Sequence, residues 1–237
     1  MPVPAIMFST AQAYRLLNVA SPQASYVKRA VELRPKNVTA LKLMESVTRK
    51  LGDWVEHART LELERDLIDP KRSEQEKRAA IAIGKRLAEV CELKLKDDAR
   101  ASDALGVIVT LDPSDAQALE RLELIARRAG NWPEVVRVLE RRIAAAPAGD
   151  NNLKVWLREL AQVKRDQLKD AKGAAQALER LLALAPADPL PALRDLAPLQ
   201  REIETWAPLA ETLTRLGELE REPAARADAL RQLGEVQ

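Results

Sequence analysis

A proline, an Ala-Leu step and a tryptophan recur in the same order three times along this chain. They are Pro35, Ala40-Leu41 and Trp54; Pro113, Ala118-Leu119 and Trp132; and Pro186, Ala192-Leu193 and Trp206. The interval from proline to tryptophan is constant to within a single position, and successive tryptophans are nearly evenly spaced. A second set, Leu95, Ala104-Leu105 and Pro113, returns at one fixed offset as Leu168, Ala177-Leu178 and Pro186. A chain that repeats at this period is built from units too small to bury their own apolar face. They bury it by stacking, so the spacing predicts a solenoid.

The units read as helical. Strong helix formers dominate, only 8 glycines occur, and no run of β-branched residues alternates as a strand would. Asn37 caps one helix, which Gly52 ends, and Asp53/Glu56, Ser73/Glu76 and Asn131/Glu134 have the spacing of capping boxes. Between Asp115 and Pro147 the pattern is clearest. Leu119, Leu122, Ile125, Ala126 and Ala129 line one helix, Gly130-Asn131-Trp132 turns the chain, and Val135, Val136, Leu139 and Ile143 line the next. Two long units result, 53–130 and 131–204, each a doubled helix-turn-helix. The five residues by which the first exceeds the second between tryptophan and the following leucine are assigned to the polar loop Pro70-Lys71-Arg72-Ser73. The prolines at 189, 191 and 198 are expected to interrupt the helix before Trp206 and to kink that pair. The expectation is an all-α fold of about twelve helices in one repeat domain over 1–237, with units 1–52, 53–130, 131–204 and 205–237. The segment 226–237 reads as the first helix of a further pair, so the chain is expected to be a fragment of a longer array.

Composition excludes several function classes. With 38 basic and 36 acidic residues the charge is nearly balanced, so bulk attraction to nucleic acid or an anionic membrane is not implied. Neither a signal peptide nor a membrane-spanning run is legible, and the single cysteine fits a reducing compartment, so a cytoplasmic protein is expected. His57 and Cys91 are each the sole residue of their type, too few for a zinc site, and both read as packing residues. Glu62 and Glu64 read as part of a solvated helix face. No phosphate-binding loop is present. The sequence therefore predicts a non-catalytic protein without metal or cofactor.

The turn Gly130-Asn131-Trp132 with Val135 and Pro147, the stretch Lys96-Asp97-Asp98 with Ala101, Leu105 and Leu111-Asp112-Pro113, and the shorter matches Gly52-Asp53-Trp54 and Leu33-Arg34-Pro35 resemble tetratricopeptide repeats. The chain departs from that pattern at Val135, where alanine is usual, and at Glu204-Thr205-Trp206, which lacks the turn glycine. The resemblance implies a right-handed alpha-alpha superhelix of antiparallel helix pairs that serves as a protein–protein interaction scaffold. It also implies that the first helix of each pair lines a concave groove. Outward positions there are Lys42, Arg49 and Lys50, then Glu120, Arg127 and Arg128, then Arg194 and Arg201. Such a row suits an acidic protein or peptide segment; the competing reading is solvated charge at helix C-termini, favoured by the macrodipole. Nucleic-acid binding and homo-oligomeric self-assembly are the alternative functions. Trp54, Trp132, Trp206, Pro35, Pro113 and Pro186 read as structural markers of the repeat, and Trp156 as an apolar substitute for Ile83.

Overall fold

The structure, a computed structural model, describes residues 20–147, 149–150 and 152–236. Twelve α-helices are found among the described residues, and no strand. They are α1 Ala20–Leu33, α2 Val38–Leu51, α3 Trp54–Asp66, α4 Glu74–Val90, α5 Asp98–Leu111, α6 Ala116–Arg128, α7 Trp132–Ala145, α8 Asn152–Asp166, α9 Ala171–Ala183, α10 Leu190–Glu202, α11 Trp206–Leu219 and α12 Pro223–Val236. A single π-helical turn, Cys91–Leu95, continues α4. The chain divides into two compact units, one ending at Ile125 and one beginning at Ala126.

In the first unit each helix from α1 to α4 packs on the next, and the short connections make neighbours antiparallel. Leu41, Leu61, Leu87, Leu105 and Ile108 form its fully buried interior. In the second unit the same succession runs from α7 to α12. Leu139, Leu157, Leu160 and Leu181 fill one cluster, and Leu193, Leu209 and Leu213 another. Helix α10 serves both clusters because Ala192, Leu196 and Leu199 point one way while Leu193 and Ala197 point the other. Leucine, alanine and valine thus do the packing that large aromatics do elsewhere. Trp132 lies against the first of these clusters, whereas Trp206 is 51% exposed.

The three tryptophan turns share one backbone. Asp53 N donates to Thr48 O, Asn131 N to Ala126 O, and Thr205 N to Gln200 O, at 3.0, 2.9 and 2.9 Å. Gly52, Gly130 and Glu204 supply the left-handed residue, with φ of 72°, 65° and 55°. This is the Schellman arrangement, which satisfies the last carbonyls of the helix and reverses the chain. It forms at Glu204 without glycine.

Three expectations are corrected. The five extra residues are not in the polar loop. Helix α4 begins at Glu74, five residues earlier in the repeat than α8 begins at Asn152. Ser73 Oγ accepts from Glu76 N, and Glu74 pairs with Lys77 and Arg78, so this added stretch has its own helix-start support. The capping boxes form only by half. Asp53, Ser73 and Asn131 accept from the third residue on. The returning glutamates are used elsewhere: Glu76 accepts from Asp69 N, Glu56 pairs with Lys28 and Arg59, and Glu134 pairs with Arg137. The prolines do not interrupt α10, which runs from Leu190 to Glu202: Pro189 precedes it, Pro191 stands in its first turn, where no intrahelical N–H is needed, and the helix continues through Pro198.

Candidate partner-binding surface

The basic residues singled out in the sequence are not alike in the structure. Arg127 of α6 reaches Glu159 of α8, with Nη2 3.6 Å from Oε2. Arg201 Nη2 of α10 donates to Gln232 Oε1 of α12 at 3.0 Å. Arg194 Nε donates to Glu220 Oε2 at 3.1 Å, just beyond the end of α11. Arg128 is exposed at the end of α6. By contrast Lys42, Arg49 and Lys50 of α2 are exposed and form no ion pair among the described residues.

The repeat explains the difference. Positions 86, 159 and 232 are equivalent under the offset that relates Leu95 to Leu168, and they carry Arg, Glu and Gln. At the last two, an acceptor meets the arginine of the preceding first helix. At the first, Arg86 faces a helix whose matching residue is Arg49, and two guanidinium groups cannot pair. Arg86 turns instead to Glu45 of α2, with Glu64 of α3 at 3.7 Å. A second lateral pair survives with its signs exchanged. Arg121 Nε donates to Glu92 Oε2 at 2.8 Å in the first unit, and Arg165 Nη1 donates to Asp195 Oδ1 at 3.0 Å in the second. Positions 92 and 165 are related by the same offset, and 121 and 195 by that offset plus a single position.

Beside Lys42 a cavity of about 360 Å³ opens between α2, α3 and α4. Leu67, Ile68, Ala82 and Ile83 give it apolar walls, and Lys42, Glu64 and Arg86 are its charged members. Glu64 is not on a solvated face, as the sequence suggested, but is only 7% exposed. Its Oε1 has no hydrogen-bond partner among the described residues. Burial, then the nearby Glu45 carboxylate, pushes the Glu64 carboxyl above its ordinary range, with Arg86 and Lys42 opposing. The signal was in the sequence: Thr60 and Leu61 stand three and four residues after His57, and Glu64 stands four and three residues after them, so the four share one stripe of α3, and all are buried.

No family model and no curated protein sequence matches the chain. Among solved structures it is similar to MamA, residues 41 to the end, from Desulfovibrio magneticus RS-1, at 17% identity over 77% of this chain and 94% of that one, with a TM-score of 0.37. It is similar to PilW, a type IV pilus biogenesis factor, at 13% identity, 97% and 99% coverage and a TM-score of 0.38. A tetratricopeptide repeat protein from Parabacteroides merdae ATCC 43184 aligns at 12% identity, 99% and 86% coverage and a TM-score of 0.38. The fold is tetratricopeptide-like. That statement rests on the helix pairs and their shared turns, since likeness at these levels carries nothing about function.

Within this tetratricopeptide-like frame the two residues with potential chemistry are built in as packing. His57 is buried, its Nδ1 lies 3.0 Å from Thr48 Oγ1, and its ring meets Trp54 edge-on. Burial first, against the raising influence of Glu45, holds its imidazole below the ordinary value. Cys91 is buried at the start of the π-turn, and burial pushes its thiol up, away from the reactive thiolate. Lys94 Nζ lies 5.0 Å from the Trp54 ring centroid, and Arg142 lies 5.3 Å from that of Trp156, so both rings are partly covered by cations. No cluster of three potential metal ligands occurs among the described residues, and none of their helices is long and apolar enough to cross a membrane.

Proposed function

We propose that this chain is a non-catalytic protein-interaction scaffold, and that the α2 face of its first unit binds an acidic segment of a partner protein. One observation carries the reading. Among the described residues Lys42, Arg49 and Lys50 have no ion pair, while Arg127, Arg194 and Arg201 are engaged by Glu159, Glu220 and Gln232. Lys42 and Arg49 lie two turns apart on one face of α2, so they present charge at a spacing that an extended or helical acidic segment can match. An apolar-walled cavity adjoins Lys42 and offers a place for an anchoring side chain.

The test is fluorescence polarisation with labelled acidic and basic peptides of equal length. The wild type is compared with a Lys42→Glu/Arg49→Glu/Lys50→Glu variant, circular dichroism confirming that the helices persist. Acidic peptides should bind the wild type and lose at least about tenfold in affinity on charge reversal, the scale of one to two charge-assisted contacts. Equal binding to both proteins overturns the proposal. Tighter binding of a single-stranded oligonucleotide of the same charge, with a steep salt dependence, also overturns it in favour of nucleic acid.

A further inference from the structure

We infer that the cavity between α2, α3 and α4 seats a tyrosine side chain of the acidic partner segment, its phenol hydroxyl hydrogen-bonded to Glu64. This rests on the reading that the α2 face binds such a segment, and it adds the identity of the anchor. Three features of the cavity narrow its occupant. Its walls are apolar on two sides, Leu67 and Ile68 after α3, and Ala82 and Ile83 on α4, so the body of the occupant is apolar. Its volume of about 360 Å³ admits an aromatic ring and would leave a serine or threonine side chain largely unpacked. At its polar end stands Glu64, 7% exposed, with Oε1 unpartnered and Oε2 3.7 Å from Arg86, longer than a hydrogen bond. A buried oxygen in that condition lacks the partner that folded proteins nearly always supply.

Charge removes the ionic alternatives. An ammonium or guanidinium group brought to Glu64 would also meet Arg86 and Lys42, which line the same cavity. A carboxylate brought there would meet Glu64 itself. A neutral group is left, and a hydroxyl suits it in either protonation state: it donates to an oxygen of the carboxylate or to the carbonyl oxygen of the carboxylic acid. Tyrosine joins a hydroxyl to an aromatic body of the size the walls enclose. With the ring seated, carboxylates flanking the tyrosine in the partner chain would come to Lys42 at the mouth.

The experiment uses p-cresol as the tyrosine side-chain probe and 4-methylanisole as the same molecule without the donor. Each is titrated into ¹⁵N-labelled protein and followed by amide chemical shifts. Saturable shifts are expected at Ala79, Ala82 and Ile83, all of which line the cavity, with p-cresol, and about tenfold weaker binding with 4-methylanisole, the scale of one hydrogen bond to a charged group. Glu64→Leu should bring the two probes to equal affinity, and Ala82→Trp, which fills the mouth from an exposed position, should abolish both. Equal affinity of the two probes for the wild type, or no saturable shift at these amides, overturns the inference. Acidic peptides with tyrosine or phenylalanine at the centre separate it from the broader reading. Equal binding of both, lost on charge reversal of α2, ends the tyrosine pocket and leaves the acidic-segment surface standing. Binding of neither ends the surface, and the p-cresol titration still decides the pocket.

Discussion

Glu204 holds a left-handed backbone that glycine holds at the two equivalent turns. A side chain in that region is disfavoured by about 1–2 kcal/mol, and glycine gives back part of that through its greater freedom when unfolded. Glu204→Gly is therefore expected to raise stability by about 0.5 kcal/mol, and Gly130→Ala to lower it by about 1 kcal/mol. Thermal melts followed by circular dichroism read both, and the same sign for the two changes would refute the argument. At His57 burial acts through pH. Its folded pKa lies below its ordinary value of 6.5, so the unfolded chain takes the proton more readily. The stability it contributes is whole above pH 6.5 and is lost as pH falls through the folded value. Glu64, held above 4.5, has the opposite sign: its contribution is whole below pH 4.5 and is lost as pH rises through the folded value. The melting temperature is expected to decline as pH falls from neutral through the histidine range, and His57→Gln to flatten that decline, as glutamine keeps a partner for Thr48. A decline that survives the substitution would place its origin elsewhere.

Between elements, the lateral pairs act as braces. Glu92–Arg121 and Arg165–Asp195 join the same two places in the repeat with their signs exchanged. Exchanging the two signs leaves the attraction between the two places the same. Arg165 and Asp195 are 38% and 49% exposed at the side chain, so solvent screens them and the pair contributes about 0.2–1 kcal/mol. Arg165→Asp and Asp195→Arg should each destabilise, and the double reversal should recover part of the loss, the remainder being the bond from Arg165 to Asp166. Additive losses in that cycle would mean the two residues do not interact. The same logic marks Arg86, whose sign leaves Arg49 without its brace and frees the charged end of α2. An Arg127→Glu/Arg128→Glu change would set two acids together at Glu159, so the α2 residues make the cleaner binding test.

For the whole molecule, the contacts of each unit run from a helix to its near neighbours in the chain. Stability in such an array is close to a sum of unit and nearest-neighbour contributions. Leu105→Ala removes a fully buried side chain from the first unit and should cost about 2–4 kcal/mol. Hydrogen exchange is expected to quicken at amides of α3, α4 and α5 and to stay unchanged at those of α9, α10 and α11. A uniform rise across both units would show a single cooperative block instead.

The helices, their caps and the repeat could be read from the chain because each depends on residues within one or two turns. A proline, a glycine or asparagine and a stripe of leucines act locally, wherever the pair is later stacked. The start of α4 was legible in the Ser73/Glu76 spacing, but its five-residue lead over α8 was not, because no such spacing marks the start of α8 at Asn152. Which cations are braced was a tertiary matter. Arg127 and Arg49 look the same in sequence, and only the residue that the next first helix places opposite them separates the two. Glu64 shows the same limit from the other side. Its place on the buried stripe was legible, but its missing partner and the cavity beside it depend on three helices meeting, and no single stretch of sequence encodes that meeting.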